Sequence, residues 1–120
     1  MKTILALDDS ASLRQMVKLT LMSAGYNIVE AADGLEGLAK AKTNSVDMVV
    51  TDLNMPNMNG LAFIRALRQM PAYKGIPIVF LTTESDANLK QEAKSAGATG
   101  WITKPFKPEQ LTSVVKKLLG

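Results

Sequence analysis

The sequence predicts an α/β fold, a single doubly wound (βα)5 domain with a five-stranded parallel sheet between two layers of helices. Short apolar runs of strand character alternate with longer segments of helical periodicity along the whole chain. The first and third runs, which begin at Ile4 and Val46, are almost wholly apolar, as expected for parallel strands that are buried on both faces. With 120 residues and 47% apolar content, residues 1–120 suit one domain with one core.

The predicted elements follow one another in β-α alternation. The strands are expected near residues 3–7, 26–31, 46–51, 76–82 and 99–103, and the helices near 11–24, 34–43, 60–69, 85–96 and 107–119. Ser10 or Ser12 can cap the start of the first helix, and Gly25 follows its end. The inward stripe of this helix consists of Leu13, Met16, Val17, Thr20 and Leu21.

Turn-forming residues separate the later elements. Gly75 follows the third helix and Gly97 the fourth, where loops or helix ends are expected. Pro77 falls among the first residues of the fourth strand, where its missing N–H is tolerated. The inward stripe of the last helix consists of Leu111, Val114, Val115 and Leu118.

The composition excludes several classes of chemistry. Without cysteine there are no disulfides or thiolate metal sites, and without histidine the usual general base and zinc ligand are missing. The net charge of +3 comes from basic residues spread along the chain, so we expect no direct binding to nucleic acid. No apolar span approaches the length of a transmembrane helix, and the run before Asp8 is too short for a signal peptide. We therefore expect a soluble, cytoplasmic protein without membrane insertion.

Three carboxylates stand at the ends of two predicted strands. Asp8 and Asp9 close the first strand, and Asp52 closes the third. If these strands are neighbours, the acids meet at the edge of the sheet where ligands bind in doubly wound folds. Such a cluster repels itself, which suits a seat for a hard divalent cation such as Mg²⁺. Thr82 and Lys104 close the fourth and fifth strands and are expected on the same rim.

Four motifs spread over the whole chain resemble those of response-regulator receiver domains. They are Asp8-Asp9, the segment Thr-Asp-Leu-Asn-Met-Pro-Asn-Met-Asn-Gly that contains Asp52, Thr82-Thr83-Glu84, and Lys104-Pro105-Phe106. A lone acid pair would be weak evidence, whereas four motifs in order, each at a strand end, are specific. The resemblance implies a flavodoxin-like fold with strand order 2-1-3-4-5. It also implies a signalling domain rather than an enzyme, one that catalyses only its own phosphorylation and slow dephosphorylation.

The same resemblance implies a role for each acid. Asp52 is the expected phosphoacceptor, which takes a phosphoryl group from a histidine of a partner histidine kinase. Asp9, Asp52 and the backbone carbonyl of Asn54 are the expected Mg²⁺ ligands, and Asp8 is expected to hold a metal-bound water. Asn54 and Glu84 flank the hydrolysis site of the family, which implies some self-dephosphorylation.

The resemblance further implies a switch that reads the phosphoryl group. Thr82 and Lys104 would be drawn toward the new acceptor oxygens. The aromatic residue of the fifth strand would then turn inward and reshape the face made by the fourth helix, fifth strand and fifth helix. Here that residue is Trp101, where tyrosine or phenylalanine is more usual.

We expect a basic rim for a partner on this face, formed by Lys90, Lys94 and Lys117. The family also suggests a cis Lys104–Pro105 peptide.

We therefore expect a single-domain two-component response regulator, with chemotaxis as its leading role. The expected partners are a histidine kinase, the flagellar motor switch or another output protein, and a phosphatase. A phosphorelay shuttle or a transcription-linked regulator is the alternative. A phosphatase of the haloacid dehalogenase type is disfavoured, because its aspartyl nucleophile lies on the first catalytic strand in Asp-x-Asp order, unlike Asp52-Leu53-Asn54. A flavodoxin-like electron carrier is disfavoured because Asp8 and Asp9 would repel a flavin phosphate.

Overall fold

The computed structural model describes residues 1–83 and 86–120, which form one parallel sheet and the helices around it. The strands are β1 (Thr3–Leu7), β2 (Asn27–Ala31), β3 (Met48–Thr51), β4 (Ile78–Thr82) and β5 (Gly100–Thr103). The helices are α1 (Ala11–Ser23), α2 (Gly34–Thr43), α3 (Gly60–Arg68), α4 (Ala87–Ala96) and α5 (Pro108–Leu119), with a short 3-10 turn at Pro71–Tyr73. The strand order is β2-β1-β3-β4-β5 and the paired strands are parallel, so the predicted fold class is confirmed.

The sheet separates two apolar layers. Alternate residues of β1 point to opposite faces, so that Leu5 and Leu7 join one layer while Ile4 and Ala6 join the other. The first layer is completed mainly by α2 and α3, and the second by α1 and α5. Because both faces are covered, the central strands carry apolar side chains throughout, which is the pattern that identified them in the sequence.

The helices bury the faces that their periodicity predicts. In α1, Val17 and Leu21 are fully buried and the rest of the predicted stripe is half-buried. Leu111 and Val115 of α5 are fully buried as well. The Oγ atom of Ser10 accepts the N–H of Leu13 at 3.3 Å, so Ser10 caps α1. No helix in the described part of the chain is long and apolar enough to cross a membrane.

Two strands, β3 and β4, begin two residues later than predicted. The carboxylate of Asp47 accepts the N–H of Thr3 at 2.8 Å, while the N–H of Asp47 donates to the carbonyl of Thr3 at 2.8 Å. Regular pairing of β3 therefore starts after this exchange, at Met48. Pro77 lies just before β4 and has no N–H, but its carbonyl accepts the N–H of Val49 at 3.0 Å.

The fourth helix begins at Ala87, later than predicted. The carboxylate of Asp86 accepts the N–H groups of Asn88 and Leu89 at 2.8 and 3.1 Å, so Asp86 is its N-cap. Ser85, where the helix was predicted to start, lies outside the described residues.

Candidate functional site

Strand register brings the predicted acids together. Leu7 at the end of β1 lies opposite Thr51 at the end of β3, so the residues that follow them are neighbours. The N–H of Asp52 extends this ladder by donating to the carbonyl of Leu7 at 2.9 Å. Carboxylate oxygens of Asp8, Asp9 and Asp52 all lie within 4.8 Å of one another. We call this cluster, together with Lys104, the acidic pocket.

Asp8 is the most deeply placed acid of the pocket, with 4% of its surface exposed. Its Oδ1 atom accepts the N–H of Ser10 at 2.8 Å, and its Oδ2 atom accepts the Lys104 Nζ at 3.1 Å. Both oxygens are therefore engaged within the protein. Asp9, by contrast, is exposed at the rim of the pocket.

The surroundings of Asp52 disfavour the ionised form of its carboxylate. Its side chain is 12% exposed, and its Oδ1 atom accepts the N–H of Leu53 at 2.8 Å and lies 3.4 Å from the Lys104 Nζ. Burial raises the pKa of Asp52 above its ordinary value, Lys104 opposes that rise, and the neighbouring Asp8 adds to it. Additional positive charge in the pocket would relieve this crowding.

Lys104 and Thr82 lie at the carboxyl ends of β5 and β4, and the Lys104 side chain extends into the pocket. The N–H of Lys104 donates to the carbonyl of Thr82 at 2.8 Å, which joins the ends of β4 and β5. Thr82 is buried, with 1% of its surface exposed. The Lys104–Pro105 peptide is cis, as the sequence resemblance suggested.

The loop after β3 is held close to the pocket. Gly60 lies so near the carbonyl of Asp52 that a Cβ atom there would collide with it, and also with the ring of Phe80 at 2.6 Å. The N–H of Gly60 donates to the carbonyl of Leu53 at 2.8 Å, which fixes the two ends of the loop together. Asn54 is exposed in this loop, two residues after Asp52.

The donor set of the pocket fits a hard cation. Asp8, Asp9 and Asp52 offer carboxylate oxygens only, and across residues 1–83 and 86–120 they are the one group of three that could hold a metal ion. Oxygen ligands with room for water are what Mg²⁺ prefers. Burial, and to a smaller extent the charge of Asp8, raises the pKa of Asp52, so added positive charge would stabilise the ionised carboxylate.

Trp101 lies next to a shallow groove on the α4 side of the sheet. Its ring contacts Phe80 with centroids 5.6 Å apart at 52°, and the Lys90 Nζ lies 5.8 Å from its centroid. The groove has a volume of about 190 Å³ and is lined by Lys90, Lys94, Ala98, Thr99, Gly100 and Trp101. We call it the Trp101 groove.

The structure thus joins only part of the predicted partner face. Lys90 and Lys94 line the Trp101 groove, whereas Lys117 is exposed in the last turn of α5 and is not among the described residues that line it.

Thr82 lies on the same face of the sheet as Trp101, because Phe80 pairs with Trp101 and Thr82 is two residues further along β4. Glu84 lies outside the described residues.

Sequence reasoning missed several residues around the pocket. The Nη1 atom of Arg14 donates to the carbonyl of Asp8 at 2.6 Å, and nothing in the sequence pattern points to this contact. Asp33 caps α2 and accepts the side-chain amide of Asn57 at 2.7 Å. The N–H of Glu36 and then the Asn57 amide lower the pKa of Asp33. An acid just before a helix is a recognisable cap signal, but its second partner comes from a distant loop.

Known proteins are similar to this chain in sequence and in fold. A family model described as the response regulator receiver domain matches residues 4–116. Chemotaxis protein CheY1 of Helicobacter pylori is 37% identical over 119 residues, which cover 98% of this chain and 96% of that protein. The alkaline phosphatase synthesis transcriptional regulatory protein PhoP of Bacillus subtilis is 34% identical over 118 residues, 98% of this chain but 48% of that protein. The structure of chemotaxis protein CheY4 of Vibrio cholerae matches with a TM-score of 0.96 and 50% identity, over 99% of both chains.

Proposed function

This chain belongs to the response-regulator receiver domain family, and we propose that it is a chemotaxis response regulator phosphorylated on Asp52 by a histidine kinase. Receiver domains are signalling domains that take phosphoryl groups from such kinases. The observation that carries the proposal is the position of Lys104, whose Nζ lies 3.1 Å from Asp8 and 3.4 Å from Asp52. A cation between two carboxylates at the strand ends suits a site where anionic oxygens are added and removed.

Asp52 is the proposed nucleophile. One of its carboxylate oxygens forms a bond to phosphorus while the bond from phosphorus to the kinase histidine breaks, and the imidazole leaves with its electron pair. The product is an acyl phosphate on Asp52. Asp8 and Asp9 are less suited to this role, because the first is deeply buried with both oxygens in contact with Ser10 or Lys104, and the second lies at the exposed rim.

The proposal includes Mg²⁺ in the acidic pocket. Asp9, Asp52 and the backbone carbonyl of Asn54 would hold it, and Asp8 would hold one of its waters. When bound, the ion would supply positive charge opposite the phosphoryl oxygens during transfer. Because Lys104 contacts both Asp8 and Asp52, we expect it to act as a second cation that shifts from carboxylate to phosphoryl oxygen.

Thr82 and Trp101 are the proposed readers of phosphorylation. The phosphoryl group takes Asp52 from one negative charge to roughly two and adds strong acceptor oxygens. Thr82 can donate its hydroxyl to them from the end of the adjacent strand. A movement of Thr82 would change the surroundings of Trp101, because the two side chains lie on the same face of neighbouring strands.

The output face includes the Trp101 groove. Lys90 and Lys94 give it positive charge, so we expect the output protein, for which the flagellar motor switch is the leading identity, to present acidic groups there. Lys117 would extend the contact along α5. The only reactions assigned to this chain are its own phosphorylation and slow dephosphorylation, the latter assisted by a phosphatase. The proposal places the protein in the cytoplasm, where kinase ATP is available.

The test of the phosphoacceptor is chemical. Wild-type protein incubated with Mg²⁺ and a small phosphodonor should gain the mass of one phosphoryl group, and Asp52→Asn should gain none. Asp86→Asn is the matched control, because it changes an exposed acid outside the pocket and asparagine can still cap α4. Equal labelling of wild type and Asp52→Asn would overturn the assignment. Steady hydrolysis of phosphomonoesters at about 1 s⁻¹ or faster would favour a phosphatase instead.

A transcription-linked role is a second candidate, favoured by the likeness to Bacillus subtilis PhoP. The two roles share the acidic pocket and differ in the partner of the phosphorylated form. Phosphorylated protein and Asp52→Asn can be compared for binding to purified motor-switch protein. Binding that requires phosphorylation supports chemotaxis, and equal failure of both forms favours the second candidate.

A further inference from the structure

Arg14 is tied to the acidic pocket through a backbone atom. Its Nη1 atom donates to the carbonyl oxygen of Asp8 at 2.6 Å, which belongs to the peptide group between Asp8 and Asp9. Asp9 itself is exposed at the rim of the pocket. The orientation of this peptide determines where the Asp9 side chain leaves the main chain. Arg14 therefore acts on the geometry of an acid that it does not contact through its carboxylate.

Arg14 is itself held by β2. Its Nε atom donates to Oε1 of Glu30 at 3.2 Å, and the Arg14 and Glu30 side chains are 21% and 29% exposed. The other oxygen of Glu30 lies 3.3 Å from the Nζ of Lys18. The planar guanidinium can thus bond a carbonyl on one strand end and a carboxylate on the neighbouring strand at the same time. A lysine ammonium has no fixed fork with which to do this.

We propose that Arg14, braced by Glu30, is a positioning residue that fixes the Asp8–Asp9 peptide and so presents the Asp9 carboxylate to the divalent cation. This inference rests on the proposed Mg²⁺ site. Partners that orient a ligand from outside the metal sphere commonly control affinity by about tenfold or more. Arg14 would play that part here through the main chain.

The charge of Arg14 alone predicts the opposite change in Mg²⁺ affinity when Arg14 is removed. Arg14 is a cation near a cation site, so its removal should tighten Mg²⁺ binding if only its charge matters. If its hydrogen bond to Asp8 positions Asp9, removal should weaken binding. The direction of the change therefore separates the two roles. A general effect on the fold would also weaken binding, so the free energy of unfolding of each variant is measured separately without Mg²⁺.

The experiment is calorimetric titration of the whole protein with Mg²⁺ alone. Arg14→Met, which keeps an apolar stem, should weaken Mg²⁺ binding about tenfold. Lys18→Met is the matched control, because it removes the same charge from the same Glu30 without touching the Asp8 carbonyl, and it should change affinity by less than about twofold. Arg14→Lys should remain weakened, since it restores the charge but not the fork.

Each outcome bears on one claim. Failure of wild-type protein to bind Mg²⁺ overturns the proposed metal site rather than the role of Arg14. If wild type binds and Arg14→Met binds equally or more tightly, the positioning role is wrong. Glu30→Gln supplies a second test should Arg14→Met fold poorly, because it leaves Arg14 in place and weakens only its brace. Unchanged affinity in Glu30→Gln would then contradict the proposal.

Discussion

The acidic pocket and the Trp101 groove lie on the same sheet, yet they are built in different ways. In the pocket, Asp8 and Asp52 are mostly buried and their oxygens accept bonds or ion pairs at 2.8 to 3.4 Å. In the groove, Trp101 is half-buried and its ring contacts Phe80 and Lys90 at centroid distances of 5.6 and 5.8 Å. The pocket thus has short directional bonds to charged groups, whereas Trp101 lies against an aromatic ring and an ammonium group.

This difference predicts that a structural change passes from the acidic pocket to the Trp101 groove. A buried charge cluster responds strongly to a new charge, because each group in it lacks bulk water to screen the change. A cation–π contact at an exposed site is worth only about 0.5–1 kcal/mol, so loss of the contact between Lys90 and Trp101 should cost little. We therefore expect changes in the pocket to move the groove, while changes in the groove should leave the pocket largely intact.

The largest expected effect is the stabilisation of the fold by Mg²⁺. At a concentration one hundred times its Kd, the ion should raise the free energy of unfolding of wild type by about 2.7 kcal/mol. Asp9→Asn should lose most of this gain, since it removes a proposed ligand. Lys90→Gln, a change in the groove, should keep it. Urea unfolding with Mg²⁺ and with a chelator measures all three, and an equal loss in Lys90→Gln would break the distinction between the regions.

A pair of glycine substitutions compares how tightly the two regions are packed. Gly60→Ala should cost about 2 kcal/mol, because the added methyl group collides with the Asp52 carbonyl and the Phe80 ring. Gly100→Ala should cost less than about 1 kcal/mol, since the nearest atom to its Cβ belongs to Val79 at an ordinary 3.5 Å. Chemical unfolding without Mg²⁺ measures both. Equal costs would show that the groove is packed as rigidly as the pocket.

The pH dependence of stability tests the raised pKa of Asp52, which burial causes in the main. Its pKa is raised in the folded state above the ordinary 3.8, so the folded protein binds a proton more readily and stability falls as pH rises through this range. Asp52→Asn removes that penalty and should be more stable than wild type at neutral pH without Mg²⁺. The advantage should shrink as the pH falls through and below 3.8, because Asp52 then becomes protonated in the unfolded state as well. Lower stability of Asp52→Asn at neutral pH would contradict the raised pKa.

The smallest expected effect lies in the groove. Lys90→Gln removes the ammonium beside the Trp101 ring and should lower stability by less than about 1 kcal/mol while increasing the mobility of the indole. Fluorescence anisotropy of Trp101 measures that mobility. Lys94→Gln is the control, because Lys94 lines the same groove and has the same charge. Equal changes in both variants would mean that groove charge, rather than the contact with the ring, restrains Trp101.

The main features of the pocket follow from sequence periodicity. Apolar runs that end in Asp8, Asp52, Thr82 and Lys104 put polar groups at the carboxyl ends of parallel strands, and strand order then brings them together. Alternation and chain direction are local properties of the sequence, whereas the strand order is implied by the resemblance to receiver domains. The placement of Lys104 between Asp8 and Asp52 needs only that arrangement and a long flexible side chain.

Other features depend on contacts that no local pattern contains. Arg14 bonds Asp8 and Glu30 because α1 packs beside β2, and an arginine in a first helical turn otherwise resembles any surface arginine. The late start of β3 depends on an exchange of bonds between Asp47 and Thr3, which are far apart in sequence. Such side-chain to backbone bonds become predictable only when the tertiary structure is known.

The central claim is that charge added at Asp52 is read at Trp101, and the emission of this single tryptophan tests it most directly. Emission should be recorded after Mg²⁺ and then a small phosphodonor are added, with the extent of phosphorylation measured by mass on the same samples. We expect emission to change in proportion to phosphorylation in wild type, to stay constant in Asp52→Asn, and to change less in phosphorylated Thr82→Ala. Fully phosphorylated wild-type protein with an unaltered Trp101 spectrum would contradict the claim.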